Sequence, residues 1–463
     1  MHTDDRLADA IAAWLPGARW SGAKSGRIEH LAVPVAVTVG EGTVLALVDA
    51  TTDTTTTRYV VPVDAHGHDA VGTPAFARWL IESALDGEAP TRGDAPFVGH
   101  LTAQAIDARL KTIDVAPLGT DASNTSLVVR CDDEAFVVKL LRRYRPGVQP
   151  EVELGDFFAR LARWDGTPRL RGWIEHRPGD GSSAAIATIH DHVPGCQTAW
   201  DRLLGLLCSP PPRGTPPDRD MDGIRGLVEA LGRATGQMHG ALASRSDVAA
   251  FAPEMPSTEW CRATAEARAD DGARILARAA APPSGLPADL RDRLRALSTA
   301  APRLLRQLGL PTGVDERAAL IRVHGDYHLG QVLVTGPDDA CRVFVIDFEG
   351  EPGRSLAERR AKLPAAKDVA GMCRSFDYAL RHAAATGGPA FDARRLQALE
   401  DWFLDAYNAV AAGGCWWPRD AVTLLDTHRL EKALYELDYE LDHRPDWVAV
   451  PLAALEAVAE GGR

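Results

Sequence analysis

Apolar residues recur along this chain with two different periods, and the change of period divides it. Leu7, Ile11 and Trp14 fall at helical spacing, whereas residues 31–39, 43–48 and 57–63 alternate like strands, and 74–85 read as a helix. Runs rich in Val, Ile and Leu at 127–129, 135–141 and 184–189 predict further strands. Between them a helix opens near Pro150, a residue suited to a first helical turn, and continues through Leu154, Phe157 and Leu161. Beyond Trp200 the period becomes helical. Ile224, Leu227, Val228, Leu231, Thr235, Met238 and Leu242 line one face of a helix over 221–242, and 258–280, 286–308, 369–385 and 396–411 follow suit. The proline-rich stretch 209–217 fits neither period and reads as an exposed insertion. Two short strands, 331–334 and 342–346, interrupt the helical half around the polar turn 335–339. The pattern predicts an α+β protein in three parts: 1–95, a small sheet with helices; 96–195, rich in strands; and 196–463, mainly helical.

Composition narrows the class. At 463 residues the chain exceeds one simple core, and 45% hydrophobic with 25% charged residues is ordinary for a globular protein. A net charge of −13 argues against a nucleic-acid or anionic-membrane partner. The seven scattered cysteines, with no C-x-x-C, read as free thiols in a reducing compartment. No basic segment followed by an apolar run opens the chain, and no apolar run approaches the ~18 residues of a membrane span. A cytoplasmic protein is expected, monomeric or at most a homodimer, with a small molecule as its partner.

The chemistry gathers at the ends of the two late strands. Asp326 lies five residues before Gln331, and Asp347 follows the second strand directly. His324-Gly325-Asp326 through Gln331, then Asp347-Phe348-Glu349, is the protein-kinase pattern H-x-D-x-x-x-x-N followed by D-F-G, with Gln331 for the Asn and Glu349 for the Gly. Phosphoryl transfer needs a carboxylate to take the proton of the attacking hydroxyl, assigned to Asp326. It also needs oxygen ligands for Mg²⁺, assigned to Gln331 and Asp347 with Glu349 as an auxiliary ligand. A hairpin with acidic turn residues is the plainer reading, and the paired motifs at kinase spacing outweigh it.

The segments 324–331 and 347–352 resemble those of the maltokinases and of the actinobacterial glucosamine kinases, within the wider aminoglycoside-phosphotransferase group. The resemblance implies a bilobal protein-kinase-like fold: an N-terminal cap (1–95), a small β-rich nucleotide-binding lobe (96–195) and a large helical C-lobe (196–463). It also implies transfer of the γ-phosphoryl of ATP, with Mg²⁺, to a sugar hydroxyl. The Arg-Trp segment near the start is similar to the caps of maltokinases, with Lys24 and Arg27 either reaching the nucleotide lobe or simply solvated. The loop reaching Ser123, Asn124, Thr125 and Ser126 resembles the Ser-Asn-Thr-Ser loop of maltokinases, which folds over phosphates. Lys139, alone in an apolar strand, requires a buried partner and is expected to grip the α/β-phosphates. Glu153 is the preferred partner and Glu151 the alternative. The basic run 142–147 either faces the same phosphates or is solvated. By position Asp191, His192 and Val193 form the adenine-binding hinge, and His190 and His192 are expected at the surface.

Residues 430–447 resemble the C-terminal helix of maltokinases, including the closing Arg-Pro-x-Trp. Asp438 and Asp442 stand one turn apart, and Tyr435 lies nearby. Either these acids are solvated, or they face the acceptor pocket and receive an ammonium group. Trp416, Trp417 and Trp447 are candidates for stacking on a sugar. An acidic lining suits an aminosugar, so glucosamine, yielding glucosamine 6-phosphate, is the expected acceptor. Maltose, yielding maltose 1-phosphate, and an aminoglycoside are the alternatives. A catalytically silent binding module is disfavoured because base, metal ligands and lysine are all present.

Overall fold

The computed structural model describes residues 3–21, 28–39, 42–52, 55–85, 97–102, 113–119, 124–132, 134–209, 221–309, 318–338 and 340–461. Its chain forms two compact units, Met1–Pro194 and Gly195–Arg463. In the first unit, helix α1 (Thr3–Ala12) precedes an antiparallel sheet of β1 (Ile28–Thr38), β2 (Val44–Thr52) and β3 (Thr55–Val63). Helix α2 (Pro74–Leu85) leads to β4 (Phe97–Leu101), β5 (Ile113–Pro117), β6 (Thr125–Cys131) and β7 (Glu134–Leu140). Helix α3 (Pro150–Phe157), β8 (Leu170–His176) and β9 (Ala184–Asp191) complete a six-stranded sheet of order β4-β8-β9-β7-β6-β5.

Strand β2 is apolar almost throughout because both of its faces are covered. Ala46, Val48 and Ala50 pack with Ile11, Leu15 and Trp20, while Leu45 and Leu47 join Phe76, Leu80, Phe136, Val138 and Ile189 in a second core. Residues 1–95 and the six-stranded sheet therefore share that core. Arg142 ties them further. It is 1% exposed, bonds Asp69 Oδ2 at 2.6 Å and the Thr125 hydroxyl at 2.8 Å, and lies over the Trp20 ring. This corrects the reading of 142–147 as a basic turn facing phosphates: the first arginine of that run is structural. Strands β4 and β8, absent from the periodicity reading, are short and carry glycines where neighbouring backbone crowds them. A Cβ at Gly99 would meet the Ser83 carbonyl oxygen of α2 at 1.7 Å.

The second unit opens with β10 (Gln197–Thr198), α4 (Ala199–Cys208), α5 (Asp222–Leu242) and α6 (Thr258–Ala280). The single helix expected over 286–308 is two, α7 (Ala288–Thr299) and α8 (Ala301–Leu308), broken at Ala300 ahead of Pro302. Strands β11 (Val332–Thr335) and β12 (Arg342–Val345) pair with β10 in a small antiparallel sheet. Then come α9 (Leu356–Arg359), α10 (Ala366–Ala385), α11 (Ala393–Ala411), α12 (Val422–His443) and α13 (Ala449–Glu460). Leu430, Leu434, Leu437 and Leu441 of α12 pack into a core with α6, α7, α8 and α13. This β-rich first unit and helical second unit make up the protein-kinase-like α+β fold.

Candidate active site

The β11–β12 register sets the second unit's polar residues side by side. Val332 pairs with Val345, and the Ile346 N–H donates to the Gln331 carbonyl, so the side chains of Gln331 and Asp347 emerge together. Gln331 Nε2 donates to Asp347 Oδ2 at 2.8 Å, which leaves the amide carbonyl as the donor atom of Gln331 toward a cation. Carboxylate oxygens of Asp347 and Glu349 lie within 4.8 Å of each other. An all-oxygen set of this kind suits a hard cation such as Mg²⁺. Asp347 adopts a left-handed φ of 64°, which aspartate tolerates better than most residues and which turns the chain sharply out of β12.

The segment carrying Asp326 is held from behind. Asp368, 1% exposed in the first turn of α10, accepts the backbone N–H groups of His324 at 2.7 Å and Gly325 at 2.9 Å. His239 Nε2 lies 3.2 Å from the same carboxylate, and the Tyr407 hydroxyl meets His239 Nδ1 at 2.9 Å. The His324 ring spans the two motifs: its Nδ1 accepts from the Asp326 N–H, and its Nε2 donates to the Ile346 carbonyl at 2.8 Å. Phe348 packs on that ring.

Asp326 opens into a cavity of about 440 Å³. Burial alone would raise its carboxyl, but Lys432, His328 and His324 together hold it down at about 2. Lys432 Nζ sits 3.1 Å from Asp326 Oδ1, over the Tyr435 ring, and these neighbouring charges keep it protonated despite burial. The wall opposite Asp326 is one face of α12: Lys432, Tyr435, Glu436, Tyr439 and Glu440, with Arg444, Tyr378, Trp200 and Trp447 around it. Glu436 accepts from Arg374 Nε at 2.9 Å, and Glu440 is clasped by Arg444 at 2.6 and 2.8 Å. Burial pushes both glutamates up from the usual carboxylate range.

This corrects the expected acceptor residues. Asp438 and Asp442 face α6 and bond Arg274 and Arg278 there, Asp438 at 2.9 and 2.8 Å. Trp417 packs edge-on against Tyr407 and donates to Asn408, and Trp416 covers Gly240 beside them. Of the proposed acceptor residues, Tyr435 and Trp447 share the cavity with Asp326. Lys432, Glu436 and Glu440, which also line the cavity, gave no signal in the sequence because α12 has three covered faces. Its leucines mark only the core-facing one, and two acidic pairs at i,i+4 spacing lie on the other two.

In the first unit, Lys139 points away from the shared core, on the face of the sheet covered by α3. Its Nζ lies 3.1 Å from Glu151 Oε2, both side chains less than a tenth exposed. This corrects the preferred partner: Glu151 is buried at the start of α3, whereas Glu153, two residues on, is half-buried. Burial would raise the Glu151 carboxyl, but Lys139 and His190 more than offset it and hold it well below the usual range. His190 is thus no surface histidine: its Nε2 lies 3.4 Å from Glu151 Oε1. Asp191 and His192 spend their N–H groups on the Arg169 and Ala135 carbonyls, at 3.0 and 3.1 Å. Asn124 is buried ahead of β6, Thr125 and Ser126 begin that strand, and Ser126 pairs with Lys139. Ser123, Lys24 and Arg27 lie outside the described residues.

No protein-family model matches the sequence. The chain is 28% identical over 416 residues to a glucosamine kinase of Streptacidiphilus jiangxiensis, covering 84% of this chain and 87% of that one. It is 26% identical over 362 residues to a glucosamine kinase of Mycolicibacterium smegmatis, covering 75% and 80%. Among solved structures, a glucosamine kinase in complex with glucosamine, ADP and inorganic phosphate superposes with a TM-score of 0.66 at 25% identity, over 97% of this chain and 98% of that one. A second crystal form of a glucosamine kinase gives a TM-score of 0.68 at 24% identity, over 99% and 100%. With the H-x-D and D-F-E motifs brought together at the ends of β11 and β12, these likenesses mark the chain as a protein-kinase-like phosphotransferase that acts on an alcohol oxygen, similar to the glucosamine kinases.

Proposed function

We propose that the protein transfers the γ-phosphoryl of ATP to the 6-hydroxyl of glucosamine. Asp326 is the base that orients and deprotonates the acceptor hydroxyl. Gln331, Asp347 and Glu349 supply oxygens to Mg²⁺, whose charge neutralises the triphosphate. Lys139, held by Glu151, grips the α/β-phosphates, with the backbone around Asn124, Thr125 and Ser126 and the hinge residues Asp191, His192 and Val193 contributing to nucleotide binding. One observation carries the acceptor assignment: the cavity that contains Asp326 is walled by the buried carboxylates Glu436 and Glu440 and by the rings of Tyr378, Tyr435, Tyr439 and Trp447. Carboxylates in a sparsely solvated pocket favour a cationic ligand, and aromatic faces suit a pyranose. The ligands named for the similar kinases agree with this reading.

The test is an ADP-release assay with ATP and Mg²⁺ against glucosamine, N-acetylglucosamine, glucose, maltose and kanamycin. Turnover is expected with glucosamine and little with its N-acetyl derivative, whose nitrogen carries no charge. Turnover with maltose alone would overturn the aminosugar reading. Asp326→Asn is expected to lower kcat by roughly 10²–10⁴-fold, the range for general-base catalysis, while ADP binding persists. Unchanged turnover would remove Asp326 as the base.

A further inference from the structure

Every carboxylate of the acceptor cavity already has a cation. Asp326 has Lys432, Glu436 has Arg374, and Glu440 has Arg444. Glu351, at the pocket's edge, lies 3.5 Å from Lys367 and 3.9 Å from Lys432. An incoming ammonium therefore adds an uncompensated charge to a poorly solvated site unless a resident cation gives way.

The three resident cations are not equally fixed. Arg374 is buried in the middle of α10 and is also bonded to Asp377 at 2.7 Å. Lys432, its side chain 17% exposed, sits within α12 between Asp326, Glu351 and the Tyr435 ring. Arg444 differs. It follows the last residue of α12, its side chain is 50% exposed, and it reaches back to a glutamate that is 1% exposed. Its guanidinium lies 5.4 Å from the centres of both the Tyr439 and Trp447 rings, so it has an aromatic resting place beside the carboxylate.

Resting on the aminosugar reading above, we propose that Arg444 is an exchangeable counter-ion that holds the cation site until a cationic acceptor arrives: the substrate's ammonium replaces the guanidinium on Glu440, and Arg444 swings out along the Tyr439–Trp447 face. The exchange conserves charge for an aminosugar. A neutral sugar has nothing to offer Glu440 and leaves the forked ion pair closed, so glucose binds without the exchange.

The experiment compares KM and kcat for glucosamine and glucose in the wild-type enzyme and in Arg444→Met, which keeps the length of the side chain and removes its charge. If Arg444 competes with the ammonium, its loss lowers KM for glucosamine by roughly threefold to tenfold, the scale of a half-exposed ion pair. KM for glucose stays within about twofold. A raised glucosamine KM in Arg444→Met would overturn the exchange, because it would make the guanidinium a substrate contact. An unchanged KM would overturn it too. Arg444→Lys, which can make only a single-point pair, is expected to show a smaller fall and serves if the methionine variant does not fold. Absence of glucosamine turnover in the wild-type enzyme is a separate outcome that removes the aminosugar reading itself.

Discussion

Lys139 is 7% exposed in a sheet of apolar neighbours, and Glu151 answers its charge at 3.1 Å. Glu151→Gln breaks this buried ion pair, a change that costs about 3–5 kcal/mol in comparable sites. The expected result is a clear drop in melting temperature and a weakened dependence of rate on ATP. Glu153→Gln, at a half-buried position, should change either by little, and equal effects from the two variants would refute the pairing seen here. That Gln331 and Asp347 come together was legible in the sequence because their spacing is fixed by two short strands and a turn. The choice between Glu151 and Glu153 was not: both lie in one helical turn, and only the rotation of α3 about its axis decides which is buried. Lys432 gave no signal either, since a lysine among helical charges reads as a solvated one until its neighbours across space are known.

Helix α10 supports the catalytic segment through a stripe of three residues at helical spacing. Asp368 takes the amides of His324 and Gly325, Gly371 lies under Tyr327, and the Ser375 hydroxyl accepts from the Leu329 N–H at 3.0 Å. Gly371 is there because nothing larger fits, since a Cβ would meet the Tyr327 carbonyl oxygen at 2.6 Å. Gly371→Ala is therefore expected to push the Asp326 segment off α10, costing roughly 1–3 kcal/mol as an overpacked contact and lowering kcat more than it changes KM for ATP. Gly353, with no atom within 4 Å of a Cβ, is the control, and Gly353→Ala should leave both untouched. Thermal melts and steady-state kinetics on the two variants check this. Helix α10 itself was readable from its periodicity. Asp368 was readable as a cap or as a support of the Asp326 segment, and the structure shows the second; Gly371 and Ser375 gave no such signal, because periodicity reports how much of a helix is covered and not by what.

Across the molecule, the buried carboxylates set the response to acid. Asp326 and Glu431 would be raised by burial, but Lys432 in the first case and His428 in the second hold each at about 2, and Glu175 is held at about 2 chiefly by its hydrogen bond to His100. Each lies below its unfolded value of ~4, so its stabilisation is complete above that value and is lost as the pH falls toward about 2. Glu400, Glu436 and Glu440 are raised by burial and shift the other way, taking up protons in the folded state first. The melting temperature is expected to vary little from pH 8 to about 5 and to fall steeply below about 4. A decline beginning near pH 6 would contradict the depressed values. Among the described residues, no helix is long and apolar enough to cross a membrane, and all seven cysteines are free thiols. The core common to β2, α2 and the six-stranded sheet bears on ancestry. A cap acquired by simple fusion would keep a polar seam toward its host, but here Leu45, Leu47 and Val60 are interleaved with Phe136, Val138 and Ile189. Removing the first part would turn Phe136, Val138 and Ile189 toward water, so a chain without it would need polar residues on that face of the sheet.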